Sequence, residues 1–194
     1  MLDIIEFQGD RSHFPDPEII RCSKQFGVEE QLVIPDPKPD IEQLLEVIVH
    51  PRIDKCKIID TPLGKKLIIN GHLKQQILYV ADVPCQSVHS AHFTVPFCTF
   101  IEIPCSCSPV HHFENMCPRI LIEYLMAKKV GPREITKCVI LFLWFPKTSI
   151  CPPCPQPQPH PHPQPHPRPQ EPCDCRCNEI FDDGYIVRVK ATGF

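Results

Sequence analysis

From Cys151 to Pro172, eleven of twenty-two residues are proline, and between Pro157 and Pro169 proline alternates strictly with glutamine, histidine and arginine. Proline fixes φ at about −65° and offers no backbone N–H, so neither a helix nor a central strand crosses such a tract. It is expected to run as polyproline II, rising ~3.1 Å per residue, so that residues 152 to 172 reach roughly 65 Å. The tract therefore divides the chain into a body (1–149), a proline-rich linker (150–172) and a tail (173–194).

The body reads as strands with punctuation. Apolar, β-branched segments run over 30–34, 47–59, 65–81, 87–103, 120–126 and 135–145. Alternation shows in His92-Phe93-Thr94-Val95 and Ile101-Glu102-Ile103. Breaks fall at Asp36-Pro37, Thr61-Pro62-Leu63-Gly64, Val83-Pro84 and Gly131-Pro132. Strands joined by short turns, with no long helical interludes, predict an all-β body: an antiparallel β-sandwich or jelly-roll. Two places carry helix signals. Asp40-Ile41-Glu42-Gln43 resembles an N-cap with its capping-box partner, and 120–128 is rich in good helix formers, so short helices at most are expected there.

The chain has 194 residues and a formal net charge of −3, enough length for one core and no basic excess to attract nucleic acid or an anionic membrane. Its first residues lack the basic and apolar regions of a secretory signal, which predicts synthesis in a cytoplasm. No apolar run approaches the ~18 residues of a membrane span, the best being Val139 to Phe145. Thirteen cysteines conflict with a reducing compartment. The conflict resolves if the chain is made inside a cell and ends its life outside one. An odd count also leaves at least one thiol without a partner in its own chain, which points to cross-links between chains.

Three phrases then stand out together: Val33-Ile34-Pro35-Asp36-Pro37-Lys38-Pro39-Asp40-Ile41-Glu42-Gln43, Leu73-Lys74-Gln75-Gln76-Ile77-Leu78-Tyr79-Val80-Ala81, and Gln86-Ser87-Val88-His89-Ser90-Ala91-His92-Phe93-Thr94-Val95-Pro96-Phe97. As a set they resemble the SPOCS domain of endospore-forming bacteria, found in SipL-type morphogenetic proteins and related spore coat proteins, over roughly residues 18 to 146. The resemblance implies a β-rich assembly module of the spore envelope without known catalysis. It also implies synthesis in the mother cell and a final place at the spore surface, in coat, exosporium or appendage, with partners that are further copies and other envelope proteins. No LysM-like segment is present, so peptidoglycan binding does not carry over.

The remaining residues with chemical potential divide between cross-linking and metal binding. Cys105 and Cys107, and Cys173, Cys175 and Cys177, sit two apart, where bonds between nearest members are strained and distant partners are favoured. Cys151 and Cys154 have dithiol spacing but open a proline tract rather than a helix. All seven are candidate cross-link positions. The alternative is a zinc- or thiol-binding protein using Cys151, Cys154, Cys173, Cys175 and Cys177. His160 and His166 share a polyproline face, and His89, His92, His111 and His112 read as surface or packed residues. Glu29-Glu30 and Asp182-Asp183 read as solvated charge. No nucleophile elbow, phosphate loop, H-E-x-x-H or dinucleotide fingerprint appears, so neither an enzyme nor a cofactor is expected.

The tail ends in an alternating segment, Tyr185, Val187 and Val189 on one face and Ile186, Arg188 and Lys190 on the other. A lone strand is not stable in water, so it is an assembly strand that must join a sheet. The long linker favours delivery to a neighbouring subunit. Because the linker acts as a spacer, deleting 156–168 is expected to leave thermal unfolding of the body unchanged by calorimetry, whereas a substantial shift would mean that it packs against the body.

Overall fold

A computed structural model of the chain describes residues 4–103, 118–147 and 186–191. Eight strands lie in these residues: β1 (Ile4–Gln8), β2 (Ile20–Val33), β3 (Ile41–Thr61), β4 (Gly64–Ala81), β5 (Val88–Glu102), β6 (Arg119–Lys129), β7 (Glu134–Pro146) and β8 (Val187–Lys190). Two single 3-10 turns, Arg11–His13 and Pro17–Ile19, join β1 to β2. One sheet has the order β1-β6-β7-β2 and the other β5-β4-β3-β8, and every pairing is antiparallel. The sheets stack with β2 over β5, β6 over β3 and β1 over β8. This is the all-β sandwich that the strand-and-turn pattern predicts.

Alternation builds the core. In β4 every second residue from Leu67 to Ala81 is buried, while those between face outward. These inward residues meet Leu125, Ile135, Val139 and Leu141 of the opposite sheet. A second cluster of Leu67, Ile69, Ile101, Ile103, Leu143 and Phe145 fills the other end. Fully burying side chains of this kind contributes about 1.5–3 kcal/mol each before the entropy of ordering them is deducted.

Two turns and contacts fix the geometry locally. Gly64 closes the β3–β4 hairpin with φ of 109°, a conformation costly for any side chain with a Cβ. Gly71 lies under Phe97, its cross-strand partner on β5; a Cβ there would come within 2.4 Å of the ring and 2.2 Å of the Arg52 carbonyl oxygen. The space left by the missing side chain admits Phe97, whose ring meets Phe26 of β2 at 5.4 Å between centroids and so ties the two sheets.

Both segments with helix signals are strands. The Asp40 carboxylate accepts from Arg133 Nη1 at 2.8 Å, and the chain from Ile41 onward pairs with β4. The helix formers of β6 are held extended between β1 and β7, because two neighbouring ladders outweigh propensities of under 1 kcal/mol per residue. Strand β1 and the first half of β2 lack a strong sequence signal, since the inward-facing row of β2 includes Cys22, Lys24 and Glu30 among its apolar members. Within the single chain described, the terminal strand β8 pairs with β3, Glu46 to Val49 opposite Lys190 to Val187. Val187 is buried in the core that β8 helps to cover, while Arg188 and Lys190 face solvent, in the alternation read from the sequence.

Glu30 is a correction to the reading of Glu29-Glu30 as solvated charge, for only Glu29 faces solvent. Glu30 lies opposite Lys137 in the β2–β7 ladder, both side chains are almost wholly buried, and Lys137 Nζ stands 3.2 Å from Glu30 Oε1. From the facing sheet, Gln75 Nε2 donates to Glu30 Oε2 at 2.7 Å. Lys137 Nζ and Glu30 Oε1 complete no hydrogen bond of good geometry, so charge rather than direction holds that contact. Burial pushes the Lys137 ammonium below its ordinary range, against the opposing pull of Glu30.

Truncating one member of such a pair strands a buried charge, which typically costs ~3–5 kcal/mol, whereas an apolar replacement of both is often neutral or better. Lys137→Ala is therefore expected to unfold several kcal/mol less stable in urea, with Lys137→Met/Glu30→Leu near the parent. Equal, small effects from single and double variants would show that the pair is not desolvated.

Candidate functional site

Each strand is extended because its neighbours consume its backbone groups, and the sandwich therefore offers chemistry only at its ends, its faces and the edges where pairing stops. The best-built end is the one where β2 crosses to β3. Arg133, in the turn before β7, reaches over this crossover. Its Nη2 donates to the carbonyls of Ile34 at 2.9 Å and Pro35 at 2.6 Å, its Nε donates to Ile34 at 3.2 Å, and its Nη1 donates to Asp40 Oδ1. The backbone N–H of Ile34 donates to Arg133 and that of Ile41 to Pro132, so turn and crossover hold each other.

The other two phrases arrive at the same end. The Tyr79 hydroxyl donates to Pro39 O at 3.0 Å, and desolvation raises its pKa above the ordinary phenol range, opposed by Arg133. His89 stacks on Tyr79 at 6.0 Å and contacts Ser87 Oγ at 2.9 Å. Gln86 takes a positive φ of 45° in the β4–β5 turn, and its amide donates to both oxygens of Glu42. The three phrases are thus one interlocked corner. Its polar groups answer one another, which suits a structural brace better than a ligand site.

A cleft of about 270 Å³ lies on the outer face of the β1-containing sheet between Phe14, Gln25, Glu123 and Phe142. Phe14 meets Phe142 edge-on at 5.7 Å, and Gln25 Nε2 donates to both oxygens of Glu123. Tyr124, on the same sheet, donates to Glu6 at 2.9 Å, and this bond raises its pKa. The described residues contain no group of three candidate metal ligands, and His92 is exposed on β5.

The cross-link candidates Cys105, Cys107, Cys151, Cys154, Cys173, Cys175 and Cys177, the zinc alternative drawn from the last five, and Tyr185 lie outside the described residues, as do the linker histidines, His111 and His112, and Asp182-Asp183. Ile186, Val187 and Val189 are placed at and along β8. Of the five described cysteines, Cys22, Cys56 and Cys138 are half-buried, and Cys85 and Cys98 are exposed. Cys98 projects from β5, which is an edge strand. Arg133, Glu30 and Lys137 carry no motif, and only the position of Arg133 just after Gly131-Pro132 marks it as a turn residue.

The fold and this arrangement define a structural class of protein: a two-sheet sandwich with one braced end and thiols on its surface. Comparison with known families agrees. Residues 40–125 match the family model described as SipL, SPOCS domain, the family that the three phrases resemble. The match spans β3 to β5 and most of β6, a narrower stretch than residues 18 to 146. The match points to a sporulation-related protein. Comparisons with curated proteins and with solved structures give no match. No helix among the described residues is long and apolar enough to cross a membrane.

Losing Arg133 removes charge-assisted hydrogen bonds to half-buried carbonyls, each worth about 1.5–3 kcal/mol. Arg133→Ala is expected to lower unfolding stability by at least about that of one such bond, with Arg133→Lys recovering only part, since an ammonium cannot reproduce the planar fork. Full recovery by lysine in a denaturant titration would reduce the brace to a simple charge.

Proposed function

We propose that the chain is a structural, self-associating component of the bacterial spore envelope, linked to its neighbours by intermolecular disulfides. The observation that carries this reading is the SPOCS-domain match over residues 40–125. Thirteen cysteines in a chain expected to be made in a reducing cytoplasm support oxidation after release from the mother cell. The exposed thiols of Cys85 and Cys98 support it further, because cross-linking needs thiols that a second chain can approach. Each bridge that closes a loop in the assembly contributes ~2–4 kcal/mol.

Placement in coat, exosporium or an appendage is part of the same proposal, with further copies and other envelope proteins as partners. In this reading assembly proceeds through surface thiols and strand edges. Native spore material run on a non-reducing gel is expected to show multimers of this chain that collapse to monomer with reductant. Monomer alone without reductant would remove the cross-linking role, and absence of the chain from spores would remove the envelope role.

A further inference from the structure

Edge strands carry unpaired backbone groups, and natural sheets guard them with charges, prolines, bulges or short length. β1 and β8 are short, and β2 carries Arg21, Lys24, Glu29 and Glu30. β5 differs: from Val88 to Ile101 it holds no Asp, Glu, Lys or Arg.

The register shows which of its groups face out. Ala81 N–H donates to Ser87 O and Ile103 N–H to Lys65 O, and both pairs continue the β4–β5 register. The odd-numbered residues of β5 therefore spend their backbone groups on β4, and the even-numbered ones turn theirs to the open side. The C-terminal half of that open side is guarded. Pro96 has no N–H to offer. Lys24 Nζ, reaching round from β2, donates to Phe100 O at 2.9 Å and sits 4.0 Å from the centre of the Phe100 ring. The N-terminal half is not: among the described residues, Val88, Ser90, His92 and Thr94 face no partner strand.

We infer that this edge, Val88 to Thr94, is where a second copy of the chain docks, β5 against β5 in antiparallel register about a two-fold axis. The inference rests on the self-association proposed above and names its contact. One register uses every outward group and spares Pro96: Val88 opposite Thr94 and Ser90 opposite His92, with Ala91 at the axis. It joins the two β5-containing sheets into one. A strand without formal charge suits pairing with itself, because no like charges meet. Val88, at 61% exposure, gains cover in the contact. The interface is isologous and closes as a dimer, leaving Cys85 and Cys98 on the surface for bonds to further dimers.

The test is sedimentation velocity of the full chain in reductant, so that disulfides do not contribute. The parent is expected to show a concentration-dependent monomer–dimer equilibrium. Ser90→Pro removes an outward N–H without touching the β4 ladder, and His92→Lys sets two like charges diagonally across the two-fold axis; each is expected to weaken the dimer by about tenfold or more with unchanged thermal unfolding of the monomer. If Ser90→Pro misfolds, His92→Lys decides. A parent that stays monomeric at every concentration, or variants that dimerise as the parent does, would overturn the β5 contact. Reductant-sensitive multimers formed equally by parent and variants after oxidation would leave the envelope role standing while removing this interface.

Discussion

A buried polar cluster joins the two sheets inside a largely apolar interior. Glu30 and Lys137 face each other across β2 and β7, and Gln75 reaches from β4 to the same carboxylate. An apolar core tolerates sliding by a residue pair at modest cost, since one Ile or Leu replaces another. A buried carboxylate does not, because any other register leaves it without its cation or its amide. The charge pair lies within one sheet and ties the β2–β7 register, while the Gln75 amide ties the stacking of the other sheet upon it. Phe97, seated over Gly71 and against Phe26, repeats the constraint by shape rather than by charge.

The Arg133 corner complements that pin at the end of the sandwich. A crossover between sheets must leave one ladder before it enters the next, and its carbonyls are then without strand partners. The prolines of 35–39 remove donors but leave those carbonyls. Arg133 supplies donors for Ile34 and a second one for Pro35, whose carbonyl also accepts from the Lys38 N–H, and Tyr79 supplies one for Pro39. Family phrases that look like three separate motifs in the chain are, in space, one solution to this single problem.

Among the described residues the sheet edges are unequal, from the charged β2 to the uncharged first half of β5. Exposed thiols on the β4–β5 turn and on β5 lie in the same region of the sheet as this edge.

The sequence alone determined the β character, most strand positions from Val47 onward and the alternation of the last strand, because period-2 hydrophobicity and proline or glycine breaks are local signals. It also carried the family resemblance in its three phrases. It did not show that Glu30 is buried while Glu29 is not, since a carboxylate reads as solvated until a cation is known to lie opposite. Nor did it show β1, the first half of β2, or the strand state of 120–128, where inward polar residues or helix formers mask the pattern. Which strand β8 pairs with, which strands form the edges, and that Lys137, Gln75 and Arg133 are the closing partners were decided only by the tertiary structure. Each depends on residues tens of positions apart being brought together, and pairing of that kind leaves no periodic trace in the chain.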